Sequence, residues 1–245
     1  MVAVAAEQTD ARLPGLDGLR GIAILAMAAY HFSWDLDMFR LAEVPLLTHP
    51  FWLAARGVIL SSFLLLVGIG QALAHRAGQS PMRAGWRLAK ICGAAALVTL
   101  GTWLTFPQTF VFFGVLHHIF VASILCLLLV RLPRGLLLAL AALCLALPWL
   151  VASPVFADWW LLWVGLAPWP PVTNDYVPIF PWLGMVLIGL AWPEPVLAAA
   201  RRLPTPAWLA FLGRHALIVY LLHQPLLIGL LAVWTRLFDV GVPLF

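Results

Sequence analysis

Apolar residues run through this chain in long blocks rather than at alternating positions. Windows of roughly 20 apolar residues, the length that crosses a bilayer, can be centred near 17–34, 51–74, 86–105, 110–130, 135–152, 177–193 and 207–236. The pattern predicts an all-α fold, a polytopic transmembrane helical bundle of about seven spans. It is read as one domain over 1–245 with its core at 12–237. The last window is long and contains Pro225, where a kink is expected because proline removes a backbone hydrogen bond. An eighth short or re-entrant piece is considered around Trp159–Pro168, and no internal repeat is visible. The first residues, Met1–Asp10, are too poor in apolar residues and too acidic for a cleaved signal peptide, so the first span is expected to serve as the insertion signal.

Polar residues interrupt the first window in a regular way. Arg20 and His31 are eleven positions apart, which at about 100° per residue places them within roughly 20° of one helix face. Asp17, Ile24, Met27 and Asp35 lie close to the same stripe. Ionisable groups at that depth are expensive in lipid, so the stripe is expected to face a polar interior. Asp17 and Arg20 read either as an i,i+3 ion pair or as the place where Arg20 holds an anionic ligand.

Composition agrees with the pattern. The chain is 64% hydrophobic and 10% charged, with a mean hydropathy of +1.00, whereas soluble domains carry about 25% charged residues. Its net charge of +4 follows topology rather than nucleic-acid binding. With a cytoplasmic N-terminus, eleven of the fourteen basic residues fall inside, leaving Arg40, Arg56 and Arg236 outside. Trp159, Trp160, Trp163, Trp169, Tyr176 and Trp182 gather at the expected outer boundary. The outer connection 153–181, rich in Pro and Trp, is expected to be packed. Cys92, Cys126 and Cys144 sit in apolar runs without ligand spacing, so neither a disulfide framework nor a metal site is expected.

Histidine is the residue type most able to do chemistry here. There are 7 of them. His31, His49 and His117 or His118 plot towards the outer side, while His223 lies near the middle of the last window beside Tyr220 and Gln224. A histidine can act as a base near neutral pH or carry an acyl group itself, and the sequence leaves both routes open. An oxyanion donor would come from a second histidine or from Asn174.

Four ordered segments resemble the heparan-α-glucosaminide N-acetyltransferase catalytic-domain family: Leu16-Asp-Gly-Leu-Arg-Gly-Ile-Ala23 with His31, Phe113-Gly-Val-Leu-His117, Asp175-Tyr-Val-Pro-Ile-Phe-Pro-Trp182 and Tyr220-Leu-Leu-His-Gln-Pro225. The opening segment is also similar to that of the broader type 3 membrane acyltransferases, whose helix-one histidine falls at His31. His49-Pro-Phe-Trp52 matches the His-x-x-Trp segment that holds the catalytic histidine of the lysosomal member. That member has asparagine at the His31 position, so this chain resembles the bacterial side of the family and a bacterial inner (plasma) membrane is expected.

The resemblance implies transfer of acetyl from cytoplasmic acetyl-CoA to an extracytoplasmic acceptor, a glycan hydroxyl or amine or another small molecule. His31 and His49 are the expected catalytic residues, with Asp35 orienting one of them. Arg20, Arg83, Arg87 and Arg214 are the cations available to the CoA phosphates, and His117, Asp175 and His223 the acceptor-side residues. The expected partners are the lipid bilayer and the acceptor, with no nucleic acid and with homo-oligomerisation left open. The competing class is a non-enzymatic transporter or binding protein using the same stripe as a pathway.

Overall fold

The computed structural model describes residues 13–238. Arg12 and Met1–Asp10, on which the insertion-signal expectation rests, lie outside the described residues. The described residues form nine α-helices: α1 (Pro14–Met38), α2 (Pro50–Arg76), α3 (Pro81–Thr105), α4 (Val115–Leu129), α5 (Arg134–Leu150), α6 (Leu183–Ala191), α7 (Glu194–Arg202), α8 (Ala207–Arg214) and α9 (Ala216–Leu237). The helix starts are written locally. Proline opens α1, α2 and α3, where its missing N–H costs nothing and its φ is already helical. Ser80 caps α3 by accepting from the Arg83 N–H at 3.4 Å.

Three helices, α2, α3 and α9, are long and apolar enough to cross a membrane, and α6 with α7, bent by 74°, makes a fourth if the pair is one span. This is fewer than the seven apolar windows, for physical reasons. The window at 110–130 is helical only from Val115, and α4 and α5 have 15 and 17 residues. The window at 207–236 is two helices, because the chain breaks at His215, whose N–H bonds back to Phe211 and Leu212. In 177–193 the helix occupies only Leu183–Ala191, and Pro193 and Pro195 end it and reset the direction of α7. At 25 residues α1 has the length, but Asp17, Arg20, His31, Asp35 and Asp37 dilute its hydropathy. Pro225 lies inside α9, which continues through it as one helix.

The described residues fall into two compact units, with the boundaries inside α2 and α7. In the unit formed by 13–63 and 197–238, α1 packs along α8 and α9. The contact with α8 is unusually close. A Cβ on Gly213 would overlap the Asp17 carbonyl, and Cβ atoms on Gly15 and Gly21 would overlap the carbonyls of Ala200 and Leu209. The spacing Gly15, Gly18, Gly21 in the opening motif is therefore a small-residue stripe that lets backbones meet. Most of the stripe foreseen on α1 is buried: Asp17, Ile24, Met27 and Asp35 are nearly inaccessible, while Arg20 and His31 are half-buried.

In the unit formed by 64–196, α5 packs on α6 and α3 on α4. The α6–α7 break is held by Arg76 donating to Glu194 at 2.6 Å and by Arg134 stacking 4.7 Å from the Trp192 ring centroid. The connection 153–181 is packed, as expected. Asn174 N–H donates to Thr109 O at 2.8 Å, Val177 N–H to Phe113 O at 3.1 Å, and Ile179 N–H to Trp163 O at 2.9 Å. The region considered for an eighth helix, 159–168, holds only the short 3-10 turn Leu162–Val164, with another, Pro154–Ala157, just before it. There the indoles of Trp159 and Trp160 are exposed.

Candidate active site on helices α1 and α9

Two consecutive residues of α9 meet two residues one turn apart on α1. His223 Nε2 lies 3.2 Å from His31 Nδ1, and Gln224 Nε2 donates to Asp35 Oδ1 at 3.1 Å. The carbonyls around the two rings decide where the protons sit. His31 Nδ1 is 3.0 Å from Met27 O, which can only accept, so Nδ1 carries the hydrogen. A second N–H pointing back at it from His223 would clash, so His223 Nε2 presents a lone pair. His223 Nδ1 then carries its own hydrogen, directed at Tyr220 O 2.5 Å away. In their neutral forms both rings are thus Nδ1–H tautomers, and the nitrogen left with an open lone pair is His31 Nε2. Among the described residues that atom has no hydrogen-bond partner.

Asp35, expected to orient a histidine, has no hydrogen bond to one among the described residues. It is 0% exposed and receives Gln224, because the register of α9 places residue 224, not 223, at that level. Asp35 Oδ2 and Gln224 Oε1 are buried with no hydrogen bond among the described residues. The pair therefore pins α9 to α1 one turn from the two imidazoles.

His49 stands elsewhere in the same unit, exposed at the head of α2. Its Nδ1 accepts the Phe51 N–H at 3.2 Å, which places its proton on Nε2 and makes that atom a donor. The segment connects to His31 through aromatic rings. Trp52 stands edge-on to Tyr30 at 5.8 Å, and Tyr30 stands edge-on to His31 at 6.1 Å. His31 and His49 thus offer opposite chemistry, a lone pair on the first and an N–H on the second.

The four candidate phosphate-binding arginines divide into two kinds. Arg20 is paired with the nearly buried Asp17 at 3.0 Å, and Arg87 donates to the buried Gln71. These two have positions set by the fold. Gln71 also lines a cavity of about 60 Å³ with His75, Gln79 and Cys126. Arg83 and Arg214 are exposed and form no ion pair among the described residues.

His117 and Asp175, expected on the acceptor side, are used to build the unit that contains them. Asp175 Oδ2 accepts the Val115 N–H at 2.9 Å and so caps α4. A Cβ on Gly114 would overlap that same oxygen, which is why glycine stands there. His117 Nδ1 accepts the Gly114 N–H at 3.2 Å, and its Nε2 lies 3.0 Å from Thr99 Oγ1, whose hydroxyl donates to Val111 O. Both ring nitrogens are occupied. The neighbouring His118 is 0% exposed, with Nδ1 directed at Pro178 O 3.0 Å away. Tyr176, in the same connection, donates its hydroxyl to Leu162 O at 2.6 Å, and burial pushes its phenol up to about 12.

Sequence reasoning passed over Tyr30 and the α1 glycines, and named Gln224 and Trp52 within their motifs without giving either a role of its own. The adjacency of Gln224 to His223 and of Trp52 to the His49 segment were the available signals, and the glycine triplet at i, i+3, i+6 was legible as a packing stripe. The sequence model of the family described as heparan-alpha-glucosaminide N-acetyltransferase, catalytic, matches residues 12–225. No curated protein and no solved structure matches the chain.

Proposed function

This chain belongs to the heparan-alpha-glucosaminide N-acetyltransferase catalytic family, and from that premise we propose that it moves acetyl from acetyl-CoA at the cytoplasmic face to an extracytoplasmic amine or hydroxyl, using His31 as the base. The observation that carries this reading is the open nitrogen Nε2 of His31, on the helix that bears the opening motif and beside the ring of His223. As the acceptor heteroatom bonds to the acetyl carbon, Nε2 takes its proton. The C–S bond then breaks, and the CoA thiolate leaves and is protonated. A base positioned this way is worth about 10²–10⁴-fold. His49, with its Nε2–H outward, is the proposed donor to the thioester oxyanion. In the unit that holds His31, Arg214 is the proposed phosphate contact, with Arg20 engaging only by exchanging its present partner; Arg83 and, after a like exchange, Arg87 are the cations that the other unit offers. The bundle is proposed to have its N-terminus inside a bacterial inner membrane.

The test is thiol release from acetyl-CoA by the purified protein, with glucosamine as acceptor, beside thermal unfolding with acetyl-CoA, CoA and ATP. Acetyl-CoA or CoA at 100 times its Kd adds about 2.7 kcal/mol. Stabilisation by both but not by ATP, with thiol release lost in His31→Ala, supports the transferase. No shift at millimolar concentration, together with substrate flux in liposomes, would replace it with the transporter reading.

A further inference from the structure

We propose that His223 is a positioning residue for His31, raising the basicity and nucleophilicity of its Nε2 through the shared Nδ1–H. The proposal rests on the reading of His31 as the base. His31 Nδ1–H faces two acceptors, Met27 O at 3.0 Å and His223 Nε2 at 3.2 Å. The carbonyl belongs to the preceding turn of α1 and is sufficient to select the tautomer. It comes with the helix. The second acceptor does not, and it is an imidazole lone pair delivered from another helix.

An imidazole responds to charge in a way a helix carbonyl already engaged in its own backbone bond does not. When Nε2 of His31 gains a proton, positive charge spreads to Nδ1, and the lone pair of His223 stabilises it there. His223 is itself polarised in that sense, because Nδ1–H points at Tyr220 O 2.5 Å away. The order is therefore directional: His31 donates to His223, and His223 donates to Tyr220 O. Nothing is transferred permanently, since the proton on Nε2 returns to the leaving thiolate. The ring of His223 is kept at the right level by its neighbour Gln224 binding the buried Asp35. The two ring centroids lie 4.9 Å apart at 57°, a tilt that suits an in-plane N–H···N contact better than stacking.

The experiment compares His223→Phe and His223→Gln with the wild-type protein in detergent. The first readout does not depend on turnover: the rate at which diethylpyrocarbonate modifies His31, followed by peptide mass spectrometry with the exposed His75 as internal reference. His223→Phe should slow modification of His31 about tenfold and lower kcat about 10²-fold, with KM for acetyl-CoA unchanged. His223→Gln keeps an acceptor oxygen and should recover most of both losses. An unchanged melting midpoint with added CoA certifies the fold of each variant. If His31 is modified at the wild-type rate in a folded His223→Phe protein, the proposal is overturned. If modification slows but no variant, wild type included, releases thiol, the coupling stands and the transferase reading falls.

Discussion

Gln224 Nε2 lies 3.1 Å from Asp35 Oδ1, one residue beyond His223 on α9 and one turn beyond His31 on α1. Adjacent residues on a helix are about 100° apart, so they reach one partner helix together only when it crosses at the right level. This coincidence makes the two contacts one device, with the amide–carboxyl pair clamping the helices and the imidazole pair doing the chemistry.

Gln224→Leu would remove the one side-chain hydrogen bond that reaches the Asp35 carboxyl among the described residues and leave that buried group without it. The expected loss is about 1.5–3 kcal/mol, read as a lower melting midpoint. Adding Asp35→Leu should return a large part of it, because two apolar groups replace a buried polar pair. A double variant no more stable than Gln224→Leu alone would refute the clamp.

The α1–α8 contact predicts severe steric sensitivity. Gly213→Val places atoms where the Asp17 carbonyl stands and should cost about 1–3 kcal/mol or prevent folding. Gly57 has nothing within 4 Å of an added Cβ, so Gly57→Ala should leave the midpoint unchanged or slightly raised. Equal effects of the two substitutions in a thermal scan would contradict the close crossing.

His117 and Asp175 should separate stability from chemistry. Asp175→Ala removes the cap of α4 and should cost about 1 kcal/mol, within the range of 0.5–2 known for caps. In the surviving folded fraction, thiol release per molecule should stay within about twofold of wild type, the change expected of a group outside the chemical step. A kcat collapse at unchanged melting midpoint would restore these residues to the acceptor side.

Tyr176 provides a pH signature in the connection 153–181. Its folded pKa is raised from 10.0 to about 12, so the folded state holds the proton more tightly than the unfolded chain. That stabilisation is complete below pH 10 and is lost as pH rises through about 12. Alkaline unfolding curves of Tyr176→Phe should run parallel to wild type at neutral pH at a slightly lower midpoint and lose less between pH 10 and 12. Identical slopes in that window would show that the phenol is not shielded.

His49 is expected to contribute through its Nε2–H. His49→Gln preserves a donor and should retain more kcat than His49→Ala, which is expected to lose about 10²–10³-fold as for other oxyanion donors. Equal losses would point to a role for the ring itself, as a base or acyl carrier.

Much of this was legible in the residues. Arg20, His31, Asp17 and Asp35 fall on one stripe because helical period is a local property, and α1 buries Asp17 and Asp35 while Arg20 and His31 stay half-buried. The proline starts of α1 to α3 and the break at Pro193 and Pro195 were written in the same local way. The number of full-length spans was not legible, because an apolar window does not reveal whether its residues are helical. Residues 106–114 and 177–182 are apolar yet engaged in loop hydrogen bonds.

The sequence by itself determined the class, an all-helical membrane protein of an acetyltransferase family with histidines concentrated in its motifs, since composition, periodicity and motif order need no knowledge of contacts. Only the tertiary structure decided which of the motif histidines His31, His117 and His223 keeps an open nitrogen. His31, His117 and His223 differ little as sequence, but a ring nitrogen is consumed or freed by whichever carbonyl, hydroxyl or second ring the fold brings within about 3 Å. That choice is made by the crossing of helices distant in the chain, and no local pattern encodes it.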